Sequence, residues 1–154
     1  MLRTLLWDPL EPVATRPLAL VQGASLYCYG VDFNKNVSEV FDAQGTIAAA
    51  YDYSPYGTAT RTGRLVQPVQ WSGEMHDEEP ALAYYNYRFY NPKDGRWINR
   101  DPIAEQGGWN LYAFLGNSPQ DKFDALGLED KKKDKEFLGY VYDQTLEGTD
   151  IYIC

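Results

Sequence analysis

Three short turn sequences cut the chain between residues 33 and 57: FNKN at 33–36, DAQG at 42–45 and SPYG at 54–57. The runs between and before them, LYCYG, VSEVFD and TIAAAYDYS, are short and rich in strand-forming residues. Short runs separated by turn residues read as successive β-hairpins. Val37, Val40, Ile47, Tyr51 and Tyr53 form the expected inward set. Alternation is imperfect in IAAAY, which leaves a helical turn open there. Composition supports a mainly β chain. It holds 13 Tyr, 4 Trp, 13 Gly and 9 Pro in 154 residues. Rings bury much apolar area for little rotamer loss, and Gly and Pro supply turns.

The rest of the chain is less regular. Residues 1–26 form an irregular N-terminal segment with Pro9, Pro12 and Pro17, in which RPLAL (16–20) is the one candidate strand. Residues 61–80 read as loops around PVQWSG, a strand edge. LAYYNYRFYNP reads as one long strand. Extended backbone would then put Tyr85, Tyr87 and Phe89 on one face and Tyr84, Asn86, Arg88 and Tyr90 on the other. NPKDG is a turn in which Pro92 fixes φ and Gly95 takes the positive φ, and RWINR resumes an extended segment. WNLYAFLGN suits one short helix, with Gly107 and Gly108 before it and Gly116–Asn117 as its stop. Residues 129–154 form a charged linker, EDKKKDKE, and a short tail with two candidate strands, FLGYVYD and DIYIC. A tail of that size is too small to build its own core, so no enzyme is expected in it.

Several classes are disfavoured. The net charge of −8 repels a phosphate backbone, so no nucleic-acid partner is expected. The apolar start MLRTLLW is stopped by Asp8 and Pro9 before a signal-peptide core can form. No segment approaches the roughly 20 apolar residues of a membrane span. Cys28 and Cys154 do not make a disulfide framework, and no bridge is expected between them. His76 has no Cys or His near it in sequence, reads as a loop residue, and gives no metal site. No cofactor is implied. Trp71, Trp97 and Trp109 could stack on sugars, although core packing is the simpler use of such rings.

From residue 83 the chain reads AYYNYRFYNPKDGRWINRDPIAEQGGWNLYAFLGNSPQDKFDALGL. This stretch closely resembles the C-terminal core of Rhs-repeat, or YD-repeat, proteins. The matching residues include Tyr84, Tyr85, Arg88, Tyr90, Pro92, Gly95, Arg96, Asp101, Pro102, Asn110, Tyr112, Asn117, Pro119, Asp124, Gly127 and Leu128. FDAQGTIAAAYDYSPYG upstream resembles a last YD repeat, so the resemblance covers residues 27–128. It implies a sheet of short antiparallel hairpins, followed by a core or plug segment, that closes one end of a hollow β-shell around a C-terminal polymorphic toxin. Tyr85, Arg88, Tyr90, Pro92, Gly95, Asn110, Tyr112 and Asn117 would then be structural residues. Family members are secreted or presented at the cell surface, and the implied partners are adjoining Rhs repeats or another shell-forming chain.

In many members of that family the core also cuts itself after its closing Leu, using an aspartate pair. Here DPIAE (101–105) and DALGL (124–128) are separated by 18 residues, the family spacing. The resemblance therefore implies Asp101 and Asp124 as catalytic aspartates and cleavage between Leu128 and Glu129; Arg96, a matching residue, and Arg100, adjacent to Asp101 in sequence, are the candidate supporting cations. Two carboxylates forced together cannot both ionise easily, so one keeps a proton while the other activates water. The motifs depart from the family pattern. Ala104 and Glu105 replace Gly and Leu, and Ala125 replaces Pro. Looser turns misplace a carboxylate, and small misplacements are costly in rate. Three other readings stay open: aspartates that only cap turns, a surface module that binds carbohydrate or protein through exposed Tyr and Trp, and an inactive truncated remnant. Repeats also need neighbours to bury their faces, so an exposed strand edge and self-association are expected.

Overall fold

A computed structural model of the protein describes residues 2–11, 13–128 and 131–132. The chain is mainly β, as expected. Six strands form an antiparallel sheet in sequence order: β1 (Arg3–Trp7), β2 (Pro17–Gln22), β3 (Ser25–Val31), β4 (Val37–Asp42), β5 (Ile47–Tyr53) and β6 (Ala59–Gly63). Four more, β7 (Met75–Asp77), β8 (Leu82–Tyr85), β9 (Arg88–Asn91) and β10 (Arg96–Trp97), form a second sheet in the order β10-β9-β8-β7. Two-residue strands β11 (Lys122–Phe123) and β12 (Lys131–Lys132) pair with each other.

Three consecutive turns of the first sheet share one design. Asp32 Oδ1 accepts hydrogen bonds from the amides of Asn34 and Asn36. Asp42 Oδ1 accepts them from Gln44 and Thr46. Ser54 Oγ accepts one from Thr58. Each turn places one residue, Lys35, Gly45 or Gly57, in the left-handed region. A short oxygen-bearing side chain at the first position satisfies turn amides that the ladder leaves open. The turn sequences at 33–57 therefore fix the hairpin register, and with it the burial of Val37, Val40, Ala49 and Tyr51. Ile47 of the expected inward set is exposed instead, because the register shifts between Val40 and Phe41 where Ile47 pairs.

Several expectations are corrected. Residues 1–26 supply two strands rather than one, and β1 extends the sheet by pairing with β2. ATRTG at 59–63 forms β6 rather than a loop. His76 lies on β7. WNLYAFLGN is helical only at its end, as a 3-10 turn at Leu115–Asn117, since Ala113 instead bridges Arg96 in extended pairing. Cys28, on β3, is disulfide-bonded. A bridge requires Cα atoms within about 7 Å and converging Cβ directions, which sequence separation does not reveal; Cys154 lies outside the described residues. The candidate tail strands FLGYVYD and DIYIC lie outside them too.

The largest correction concerns residues 82–91. They form a hairpin, not one strand. Asn86 adopts φ 54°, and Tyr85 pairs directly with Arg88. The two-residue turn exchanges the parity of the second strand. Tyr85 thus shares its face with Arg88 and Tyr90, and all three are buried. Tyr84, Tyr87 and Phe89 are exposed. The buried rings form one nest with Trp97 and Phe114. Tyr85 meets Trp97 edge-on at 5.1 Å between ring centroids, and Tyr90 stacks on Phe114 at 3.8 Å. Tyr53 and Tyr56 of the first sheet pack against this nest, and the Tyr90 hydroxyl donates to the Tyr56 carbonyl at 2.7 Å. Replacing Tyr87 with Ala should change unfolding free energy by at most about 0.5 kcal/mol. Replacing Tyr90 with Ala should cost about 3–5 kcal/mol. Urea denaturation of the two variants measures both, and equal effects would restore the single-strand reading.

Candidate functional site

The hairpin parity carries Arg88 into the interior. Its guanidinium lies over the Trp97 ring, 4.1 Å from the centroid, and the residue is 4% exposed. A planar cation on an aromatic face in a dry setting is favourable, but it still demands counter-charges. It has two. Nη1 donates to Asp101 Oδ2 at 2.8 Å and Nη2 donates to Asp124 Oδ2 at 3.2 Å. Nε donates to the Gly127 carbonyl at 2.6 Å. One side chain thus ties the two aspartates of the DPIAE and DALGL motifs to the backbone of the second.

Each aspartate also organises its own loop. Asp101 Oδ1 accepts the amide of Ile103, and its backbone amide donates to Leu111. Asp124 Oδ1 accepts three amides, from Leu126 at 3.0 Å, Gly127 at 2.7 Å and Leu128 at 3.2 Å. The chain from 124 to 128 is therefore wound around one carboxylate oxygen. Gly127 makes this possible. It has φ +74°, and a Cβ there would come 2.7 Å from the Tyr85 carbonyl oxygen. The Leu126 carbonyl in turn accepts the Tyr87 amide, which seats the loop on the β8–β9 turn. Ala125 in place of Pro does not prevent this winding, because the amides of 126–128 supply the contacts.

Burial pushes the Asp124 carboxyl upward from its ordinary value, while the three amides and Arg88 pull it down. Both aspartates are buried, Asp101 at 7% and Asp124 at 6% exposure. The structure brings Asp101, Asp124 and Leu128 together. Glu129, the other residue of the scissile bond, lies outside the described residues. Arg96 and Arg100 are exposed, and among the described residues no ion pair joins either to an aspartate. The arginine that meets the pair is Arg88, which the family pattern offers only as a structural residue. Stacking on a ring or pairing with a carboxylate was open to Arg88 from its residue type, and the turn at 86–87 decides which partners it meets.

Among the remaining sequence candidates, Tyr85 and Tyr90 are fully buried and Pro92 is buried. Gly95 takes φ 64° under the Tyr56 ring. Asn110 caps a turn through the Tyr112 amide. Tyr112 is exposed, and Asn117 is exposed with φ 60°. Trp71 and Trp97 are buried while Trp109 is 93% exposed, so two of the three rings considered for sugar stacking are core residues. Among the described residues no three His, Cys, Asp or Glu side chains are grouped to hold a metal, and no helix is long and apolar enough to cross a membrane.

No family model matches the chain. Individual proteins do. It is 38% identical over 96 residues to the double-stranded DNA deaminase toxin A of Burkholderia cenocepacia, an alignment that covers 58% of this chain and 7% of that protein. It is 44% identical over 62 residues to toxin protein Tse5 of Pseudomonas aeruginosa, covering 40% of this chain and 5% of Tse5. Among solved structures, TcdB2-TccC3 without its hypervariable C-terminal region superposes with a TM-score of 0.65 at 27% identity, over 71% of this chain and 6% of that one. The chain thus matches a small part of much longer toxin proteins, in agreement with its resemblance to the Rhs-associated core.

Removing Arg88 would leave two buried carboxylates without their cation. Arg88→Met should lower unfolding free energy by about 3–5 kcal/mol at pH 7. The loss should shrink as pH falls and the stranded carboxylates take up protons, because each then binds protons more tightly folded than unfolded. Chemical denaturation of parent and variant between pH 4 and 8 checks the sign, and a gap that widens toward acid would contradict it.

Proposed function

We propose that this chain is a core module of an Rhs-type toxin that helps to close a β-shell, and that the Arg88 cluster is where the chain cuts itself after Leu128. One observation carries the reading: a single buried guanidinium gathers both motif aspartates and the loop that ends at Leu128. The likeness to the TcdB2-TccC3 chain supports the shell role, and so does a meander of short hairpins ending in open strand edges. Adjoining repeats or another shell-forming chain are the proposed partners along β1.

The chemistry is peptide hydrolysis. A water oxygen adds to the Leu128 carbonyl carbon, and a carboxylate takes one of its protons. The C–N bond to Glu129 then breaks, and the departing amine takes a proton from the second carboxyl group. Asp101, closer to the guanidinium, is assigned the base. Asp124, whose carboxyl burial pushes upward from its ordinary value, is assigned the acid. Arg88 and the Ile103 amide hold Asp101, and Arg88 and the amides of 126–128 hold Asp124, so the groups meet without further ordering. Asp124 Oδ1 already accepts the amide of Leu128, the residue that carries the reacting carbonyl.

Mass spectrometry of the purified chain, held for days at mildly acidic to neutral pH, tests the proposal. The expected result is a fragment that ends at Leu128 and is absent from Asp101→Asn and Asp124→Asn. An intact mass throughout would leave the cluster as a clamp that holds the 124–128 loop on the core.

A further inference from the structure

The two faces of the second sheet differ in character. The inner face, with Ala83, Tyr90 and Trp97, belongs to the ring nest. Residues paired across a ladder share a face, so the register also sets the composition of the outer one. Met75 pairs with Tyr84, and Tyr84 pairs with Phe89. The Ile98 amide donates to the Phe89 carbonyl at 2.9 Å, and the Phe89 amide donates to Asn99 Oδ1 at 3.1 Å. The chain after β10 thus continues along β9 and brings Ile98 into the same row. Met75, Tyr84, Phe89 and Ile98 cross the sheet side by side, each between 39% and 49% exposed. The Tyr84 and Phe89 rings lie 5.1 Å apart between centroids and stiffen the centre of the row.

The next row on this face has a charge at each end. Asp77 pairs with Leu82, and Arg96 pairs with Asn91. The same register, continued, sets Leu82 across from Asn91. Asp77 and Arg96 are exposed and stand on opposite edges of the sheet, three strand spacings or about 14 Å apart. Among the described residues neither forms an ion pair. Asp77 Oδ1 accepts the Glu79 amide at 3.1 Å, which leaves its other oxygen to the surface. Contiguous exposed apolar side chains rimmed by polar ones mark an interaction surface.

We propose that this face is covered by the same face of a second copy of the chain, in a two-fold dimer. The pattern is self-complementary. A two-fold axis parallel to the strands, midway between β8 and β9, reverses the strand order of the second sheet laid over the first. Each row then faces its own copy. Met75 meets Ile98 of the second copy, and Tyr84 meets its Phe89. Asp77 meets Arg96 of the second copy, and symmetry repeats that pair at the other edge. Face-to-face sheets keep their strands within about 30° and lie about 10 Å apart, a gap that this row of side chains fills. An axis across the strands would stack each strand on its own copy, and Asp77 would not reach Arg96.

Charge selects this occupant over others. The chain carries a net charge of −8, so two copies repel one another in general. They can meet only through a face whose own charges balance, and one carboxylate with one guanidinium does balance. A partner of a single sign would satisfy one corner and be repelled at the other. The face is four short strands wide, at the small end of specific interfaces, so the dimer exchanges with monomer. The surface is a sheet face, distinct from the strand edge at β1, and the proposal does not rest on the cleavage reading.

Sedimentation equilibrium of the full chain, from about 10 μM to about 1 mM, tests it. The mean mass should rise with concentration toward that of two chains. Asp77→Arg and Arg96→Asp should each weaken the association at least about tenfold, because each sets like charges face to face at both edges. Both positions are exposed, so the melting temperature should stay at the parent's. An equimolar mixture of the two variants should associate again, since the reversed corners then match at both edges. Phe89→Thr should lose the dimer, because it breaks the apolar row. A parent that stays monomeric across the range overturns the proposal. So does a dimer that both charge reversals leave unchanged, which would place the contact elsewhere, and so does a mixture that associates no better than the separate variants.

Discussion

One buried cation organises the second half of this molecule. Arg88 stacks on Trp97 and reaches three acceptors: Asp101, Asp124 and the Gly127 carbonyl. Removing a guanidinium from water is expensive, and the cost is offset only where every donor finds good geometry. That requirement fixes far more than one side chain. It sets where the segment after β10 must turn back, where the 124–128 loop must sit, and why Gly127 must lack a Cβ. The fork shape of arginine matters. Its rigid set of donors meets two carboxylates and a carbonyl at once, which a lysine cannot do.

The ring nest supplies the dry setting for that cation. Tyr85, Tyr90, Trp97 and Phe114 meet mostly edge-to-face, an arrangement that suits aromatic quadrupoles. The crowd of tyrosines and arginines between residues 84 and 102 thus has a division of labour. The rings on the inner face exclude water around one arginine, and Arg96 and Arg100 face outward. Excluding water strengthens each charged hydrogen bond of Arg88 and makes each unpaired group, such as the Tyr85 hydroxyl, more conspicuous.

The first sheet was largely legible in the sequence, because turn chemistry is local. Asp32, Asp42 and Ser54 bond amides two to four residues away, so the hairpins could be read directly. The second sheet was less legible. Asn86 and Tyr87 look like two more residues of an alternating strand, and nothing local marks them as a turn. That one misreading separated Arg88 from Tyr85, while Arg100 was weighed as a partner of Asp101 because the two are adjacent in sequence. The aspartates were found through motif spacing, which survives a misplaced turn. The burial of Glu74, which is 6% exposed, gave no sequence signal, because the Trp71–Gly73 turn before it packs on Asn36 and Thr15, which are remote in sequence. The 3-10 turn at Leu115–Asn117 shows the same limit. Its apolar spacing suited a helix, but pairing of Ala113 with Arg96 prevailed.

The central claim is that Asp101 and Asp124 are energetically one unit because they share one guanidinium. A double-mutant cycle measures that directly, with Asp101→Asn, Asp124→Asn and the double variant unfolded in denaturant at pH 7. The account predicts that the two effects are non-additive by at least about 1 kcal/mol, as for residues in a common ion-pair network. Effects that add to within about 0.3 kcal/mol would mean that the two aspartates do not share Arg88, and would contradict it.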